Sequence, residues 1–338
     1  MKKYFSENEW QIIENGFDPA FHESAESIFS IGNGKMGQRG MFEEQYSGKS
    51  LQGSYVAGVY YPDKTRVGWW KNGYPEYFAK VINSTYWSGL CIWINNELVD
   101  LHSASVNNFH RELDMYNGLL FRKCNITLKN GITIEIESTR FYSLINKEYS
   151  ALRYKITPNN ACEIKIENYV DADVSNKDSN YDEKFWEEIK QESTENKLFV
   201  TVKTKKLNWH LCTGVKFSLF SGDDELSAIP THNQHPKFAS NTYTVNANGG
   251  QTITAVKHAI SASSFHHPVE SLELHTKKTL EKMAASTFES HLDMSAKAWQ
   301  EKWKSSDVEI EGDVEAQQAV RFNIYQLNQT YCGDDPRL

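Results

Sequence analysis

The chain has 338 residues, 39% of them hydrophobic and 24% charged, which excludes a disordered chain and fits about two domains, or one large all-β domain with an appendage. Its longest apolar runs, such as Leu90 to Ile94, fall far short of the roughly 18 residues that span a bilayer. A formal net charge of -8 leaves no broad basic stripe to neutralise phosphates, so neither a membrane nor a nucleic acid is an expected partner.

Met1-Lys2-Lys3 is followed by Ser6-Glu7-Asn8-Glu9 where the apolar core of a signal peptide would stand, so a cytoplasmic location is expected. Five cysteines, odd in number and without a C-x-x-C pair, indicate neither a disulfide framework nor a zinc ribbon. Aromatic residues reach 13%. They stack on sugars, but they also fill β-sandwich cores, and the second use is the commoner.

The first candidate motif, Gly32-Asn33-Gly34-Lys35-Met36-Gly37, matches G-x-G-x-x-G. A dinucleotide site needs a strand before it and a helix after it. The adjoining run Gln38-Arg39-Gly40-Met41-Phe42 is not amphipathic, so a glycine-rich turn between strands is expected. Next, Tyr60 to Phe78 (YYPDKTRVGWWKNGYPEYF) fits neither helical nor strand periodicity. Its prolines and glycines mark an ordered loop. Trp69, Trp70, Lys71, Asn72 and Tyr74 supply flat faces and donors, so the loop is a candidate sugar contact as well as a candidate domain interface.

From about Phe121 to Ile260 the dominant period is two. Ile132, Ile134 and Ile136 alternate with Thr133, Glu135 and Glu137, and Leu152/Tyr154/Ile156, Cys162/Ile164/Ile166 and Leu198/Val200/Val202 repeat the pattern, as half-buried strands require. Asn130-Gly131 and Asn248-Gly249-Gly250 supply hairpin turn chemistry. With no helix for a parallel crossover between them, these runs predict a large antiparallel β-sandwich. Tyr181 to Glu188 (YDEKFWEE) sets carboxylates beside aromatics, as glycosidic chemistry would want, but the charged face of a short helix explains it as well. His232-x-x-His235, with His258, His266 and His267, could be gathered into a metal site. Flanked by Pro230 and Pro236, the H-x-x-H pair reads instead as solvated loop histidines, and no metal site is expected.

After His266-His267-Pro268 the period changes. Val269, Leu272, Leu280, Met283, Phe288, Leu292, Trp299 and Trp303 recur at steps of three and four, predicting one or two amphipathic helices. Asp313, a good N-cap, then opens a further helix with Glu315 near its positive end. Its apolar positions Ala316, Val320, Ile324 and Leu327 need a partner surface, so this helix is expected to dock on its own sandwich or on another copy. The chain reads as cut within a larger protein.

Four runs carry a resemblance. Ser30 to Gly40 (SIGNGKMGQRG), Thr65 to Val81 (TRVGWWKNGYPEYFAKV), Val170-Asp171-Ala172-Asp173-Val174 and Tyr181 to Trp186 (YDEKFW) resemble the N-terminal domain of glycoside hydrolase family 65, above all its maltose-cleaving bacterial phosphorylases. Gln317 to Leu327 resembles the first helix of that family's catalytic barrel. The resemblance implies a mainly β chain: a sandwich at 1–265, a helical linker at 266–306, and at 307–338 the start of an (α/α)6 barrel that is otherwise absent. It implies a complete enzyme, acting as a homodimer, that uses inorganic phosphate to split an α-linked glucose disaccharide such as maltose, kojibiose, nigerose or trehalose, with no metal or organic cofactor. The general-acid glutamate is expected beyond residue 338, so no catalytic residue is expected in this chain. A stand-alone sugar-binding or purely structural sandwich is the alternative.

Overall fold

A computed structural model describes residues 4–64, 75–177 and 183–337. Two antiparallel sheets carry most of the strands. The larger runs in spatial order through Phe5–Ser6, Gln11–Asn15, Ser105–Asp114, Leu119–Thr127, Thr133–Tyr142, Tyr149–Pro158, Ile253–Ser263, His210–Ser221, Lys197–Thr204 and Trp186–Thr194, with Asp224–Glu225 beside His210–Ser221. The smaller contains Thr231–His235, Phe238–Ala247, Cys162–Asp171, Leu90–Ile94 and Glu97–Leu98. The expected hairpins form: Thr127 pairs with Thr133 across Asn130-Gly131, where Gly131 takes a φ of 83° that suits glycine.

Alternation places one face of most of the long strands in a shared core. Ile134, Ile136, Tyr154 and Ile156 of the large sheet and Ile92, Ile94, Ile164 and Ile166 of the small one belong to one buried cluster. Period two fails in Lys197–Thr204, where Phe199 and Thr201 are buried as well as Leu198, Val200 and Val202. Helix α2 (Val269–Met283) packs on the outer face of the neighbouring strands His210–Ser221 and Ile253–Ser263. Phe199, Ile260, Leu280 and Phe288 form one cluster on that side, and Cys212, Ala262 and Leu272 another. The predicted helical region thus consists of two helices, α2 and α3 (Phe288–Ser306); nearer the start a 3-10 turn, Pro19–Phe21, leads into a short helix, α1 (His22–Ile28).

Two local expectations are corrected. Trp186 to Glu188 open the strand Trp186–Thr194 rather than a helix, with Trp186 buried and Glu187 and Glu188 exposed; Tyr181 and Asp182 lie outside the described residues. His232 and His235 sit in the exposed short strand Thr231–His235 rather than a loop, because Phe238–Ala247 offers an open edge to pair with.

The last helix, α4 (Val314–Thr330), begins as predicted, with Asp313 accepting from Ala316 N at 2.9 Å. It docks within the chain, but not on the expected face. Gln317, Arg321, Tyr325 and Gln329 are buried, whereas Leu327 is 72% exposed. Polar heads explain the choice. Gln317 donates to Val308 O at 2.8 Å and accepts from Ile310 N, Arg321 makes two 2.9 Å bonds to Asp307 and lies 3.7 Å from the Trp10 ring centre, and Tyr325 packs on Trp299. Recurring every four residues, these side chains make one face.

His258 links the strand Ile253–Ser263 to Tyr149, its Nδ1 2.6 Å from the tyrosine oxygen. Burial, with help from His291 and Lys216, pulls its pKa from 6.5 to about 4. Between those values the unfolded chain takes up a proton that the folded chain refuses, so stability is lost as pH falls through this window, at about 1.4 kcal/mol per unit. Urea unfolding of a His258→Asn variant should therefore show a pH slope between 7 and 4 that is shallower by about one proton. An unchanged slope would mean that His258 does not couple folding to protonation.

Candidate functional site

The sugar-contact candidates Trp69, Trp70, Lys71, Asn72 and Tyr74 lie outside the described residues. The ribbon that carries them is described: Tyr60–Lys64 pairs antiparallel with Tyr77–Val81, Lys64 opposite Tyr77. Its base is fixed to the sandwich. Tyr61 packs 4.4 Å from Phe185 and donates to Glu183 at 3.3 Å, and burial with the charge of Glu183 pushes its phenol up to about 12. Lys80 pairs with Asp63 at 2.6 Å, both side chains 7% exposed. The outer positions Tyr60, Tyr77, Phe78 and Val81 are exposed, a row of large apolar groups of the kind that marks a contact surface.

Below the ribbon lies the glycine-rich motif, which forms the expected turn between two short strands, Ile31–Gly32 and Met36–Gln38. Asn33, fully buried, accepts from Lys35 N and Met36 N and donates to Ser143 O and Lys147 O. The glycines receive the end of α4. Gly34 N donates to Gln329 O at 2.7 Å and Cys332 Sγ lies 3.1 Å from Asn33 O. A Cβ on Gly34, whose φ is 81°, would come within 2.6 Å of Cys332 Sγ, and one on Gly32 within 3.1 Å of Gln329 O.

Two clefts flank this turn and share Gly34 and Lys35. The first, of 560 Å³, lies between the turn, the ribbon residues Tyr60 and Val81, and Gln326 and Gln329 of α4. The second, of 710 Å³, is lined by Lys147, Glu148, His266, His267 and Cys332. At its wall Glu148 accepts from Lys35 Nζ at 2.7 Å, and lies 2.6 Å from His267 Nε2 and 2.7 Å from His275 Nε2. Burial acts most strongly and would raise its pKa, but the bonds from Lys35, His275 and His267 together win and hold the carboxyl at about 2.

The histidines considered together from sequence do not assemble. His232 lies beside Ser193 and Asn241, His235 stacks on Phe238, and His258 meets Tyr149. Only His267 joins a donor cluster among the described residues, with Glu148 and His275, which no sequence motif had picked out. No helix among the described residues is long and apolar enough to cross a membrane.

A family model described as "Glycosyl hydrolase family 65, N-terminal domain" matches residues 12–302. The chain belongs to glycosyl hydrolase family 65. Within this family it is 36% identical to a maltose phosphorylase of Bacillus subtilis (strain 168), over all of this chain and 44% of that protein. It is 26% identical to a kojibiose phosphorylase of Caldanaerobacter subterraneus subsp. tengcongensis over 99% of this chain and 43% of that protein. The chain therefore spans less than half the length of these relatives. A solved structure described as a putative kojibiose phosphorylase from human microbiome shares the fold, with a TM-score of 0.89 at 24% identity over 99% of this chain and 43% of the other. The family 65 match takes in the small sheet, the large sheet apart from its edge strand Phe5–Ser6 and residue Gln11, and α2; it ends within α3 and leaves α4 outside.

Proposed function

We propose that this chain is the N-terminal part of an inverting disaccharide phosphorylase that acts on maltose, a cytoplasmic homodimer when complete. The end-to-end identity with a maltose phosphorylase carries this reading, and the weaker matches to kojibiose and trehalose phosphorylases support the reaction class rather than the substrate. Residues 1–265 form the supporting sandwich, 266–306 the helical linker and 307–338 the start of the catalytic barrel. On α4 Val320 and Ile324 are partly buried and Leu327 is exposed, and this stripe is proposed as a face on which further barrel helices pack.

In the proposed reaction a carboxylic acid outside these 338 residues gives its proton to the glycosidic oxygen as the bond to the anomeric carbon breaks. A phosphate oxygen forms the new bond from the opposite face. The products are glucose and β-glucose 1-phosphate, and phosphate takes the place of the base-activated water of an inverting hydrolase. The chain alone is expected to be inactive, since it would supply neither that acid nor a phosphate cradle. Assay of the chain and of the complete gene product with maltose, kojibiose and trehalose tests the proposal.

The Trp69 to Tyr74 loop is proposed to shape the sugar site, because its ribbon is held rigidly at the base and presents apolar groups outward beside the 560 Å³ cleft. Loss of an aromatic stacking face costs about 0.5–1.5 kcal/mol. Trp70→Ala in the complete enzyme should therefore lower kcat/KM for maltose by about two- to thirteenfold with little change in melting temperature. Unchanged kinetics would reduce the loop to an interface element.

A further inference from the structure

Glu148, His267 and His275 meet where three parts of the chain join: the turn before Tyr149–Pro158, the residue ahead of Pro268, and the second turn of α2. We infer that these three side chains bind one divalent transition-metal ion of borderline softness, zinc being the best fit, which clamps α2 to the sandwich. The site is independent of the proposed chemistry and requires no part of it.

The donor set selects the metal. Two imidazole nitrogens and one carboxylate suit zinc, nickel or cobalt, whereas magnesium and calcium prefer oxygen alone. All three donor atoms lie within 4.8 Å of one another. Both Nε2 atoms face the same carboxylate, at 2.6 and 2.7 Å, from rings stacked 3.8 Å apart. Ligands on a tetrahedral zinc at about 2.0–2.1 Å stand about 3.3 Å from each other, a spacing that falls within the 4.8 Å over which the three donor atoms lie.

The surroundings prepare the carboxylate for an ion. Lys35 holds Oε1 of Glu148 at 2.7 Å, the outer hydrogen bond that orients a ligating carboxylate, and leaves Oε2 to the ion. Glu148 and His267 also line the 710 Å³ cavity, which gives an entry path and room for water in the fourth position. The ion is structural: it ties residues 148, 267 and 275 together beside the apolar clusters that seat α2 on the sandwich.

The chain stripped with chelator and titrated with zinc chloride should bind one ion with micromolar or tighter affinity and gain thermal stability by mass action, while magnesium chloride should do neither. His267→Gln/His275→Gln should lose at least tenfold in affinity together with the thermal gain. Each glutamine can still donate to Glu148, so the metal-free fold should persist. His232→Gln/His235→Gln and Cys332→Ser should bind as the parent does. Cobalt substitution in the unaltered chain gives a readout that no variant's folding can confuse: d–d bands without a thiolate-to-metal charge-transfer band. Absence of binding at about 0.1 mM zinc, binding that survives in the double histidine variant, loss with Cys332→Ser, or a thiolate band would each overturn the assignment.

Discussion

Replacing Arg122 by Met should cost about 3–5 kcal/mol of stability, the largest effect expected from one polar residue in the sandwich. Arg122 Nη2 donates to Glu43 at 2.8 Å and to Glu44 at 2.6 Å, and Arg140 meets the other oxygen of Glu43 at 3.1 Å. All four side chains are at most 3% exposed. Without Arg122, Glu44 loses the cation that faces it and Glu43 keeps only Arg140. Burial already pushes Glu44 upward, while Arg140 and Arg122 overcome the burial of Glu43 and hold it down. Glu44→Gln should consequently cost much less than Arg122→Met. Paired urea unfolding curves measure both, and equal losses would mean that Arg122 acts through packing on Phe42 rather than through charge.

Gly118→Ala should destabilise the chain by about 2–5 kcal/mol, through two separable causes. Gly118 turns the chain between Ser105–Asp114 and Leu119–Thr127 with a φ of 67°, a left-handed conformation that costs a residue with a side chain about 1–2 kcal/mol. Its Cβ would also stand 1.9 Å from Nε1 of Trp299, a fully buried side chain of α3, and such overpacking costs about 1–3 kcal/mol. Gly131→Ala separates the causes. It has a φ of 83° and nothing within 4 Å of the new Cβ, so it should show the backbone cost alone. Losses of the same size in the two variants would mean that α3 does not seat its indole against this turn.

The strands were legible because their chemistry repeats locally. Ile132 to Ile136, the Asn130-Gly131 turn and the Asp313 cap each announce themselves within a few residues, and each is found where expected. The buried face of α4 was not, because Gln317, Arg321 and Gln329 look like solvent residues until Asp307, Val308 and the glycine turn stand opposite them. Burial of Phe199 needed α2 packed on the outer face of its sheet. The Glu148 cluster joins residues separated by 113, 119 and 127 positions, a distance over which no motif can be read. The glycine motif was half legible: Gly32 and Gly34 mark a turn in sequence, but their second use, admitting the end of α4, depends on a segment almost 300 residues later.

If the chain is the supporting domain of a phosphorylase, as proposed, the reacting groups lie elsewhere in the gene product. Measuring β-glucose 1-phosphate formed from maltose and inorganic phosphate, by the purified 338-residue chain and by the complete gene product, tests it most directly. Product is expected from the complete enzyme, with maltose preferred over kojibiose and trehalose, and none from the chain. Turnover by the chain alone, or a complete gene product that leaves all three disaccharides untouched in the presence of phosphate, would contradict it.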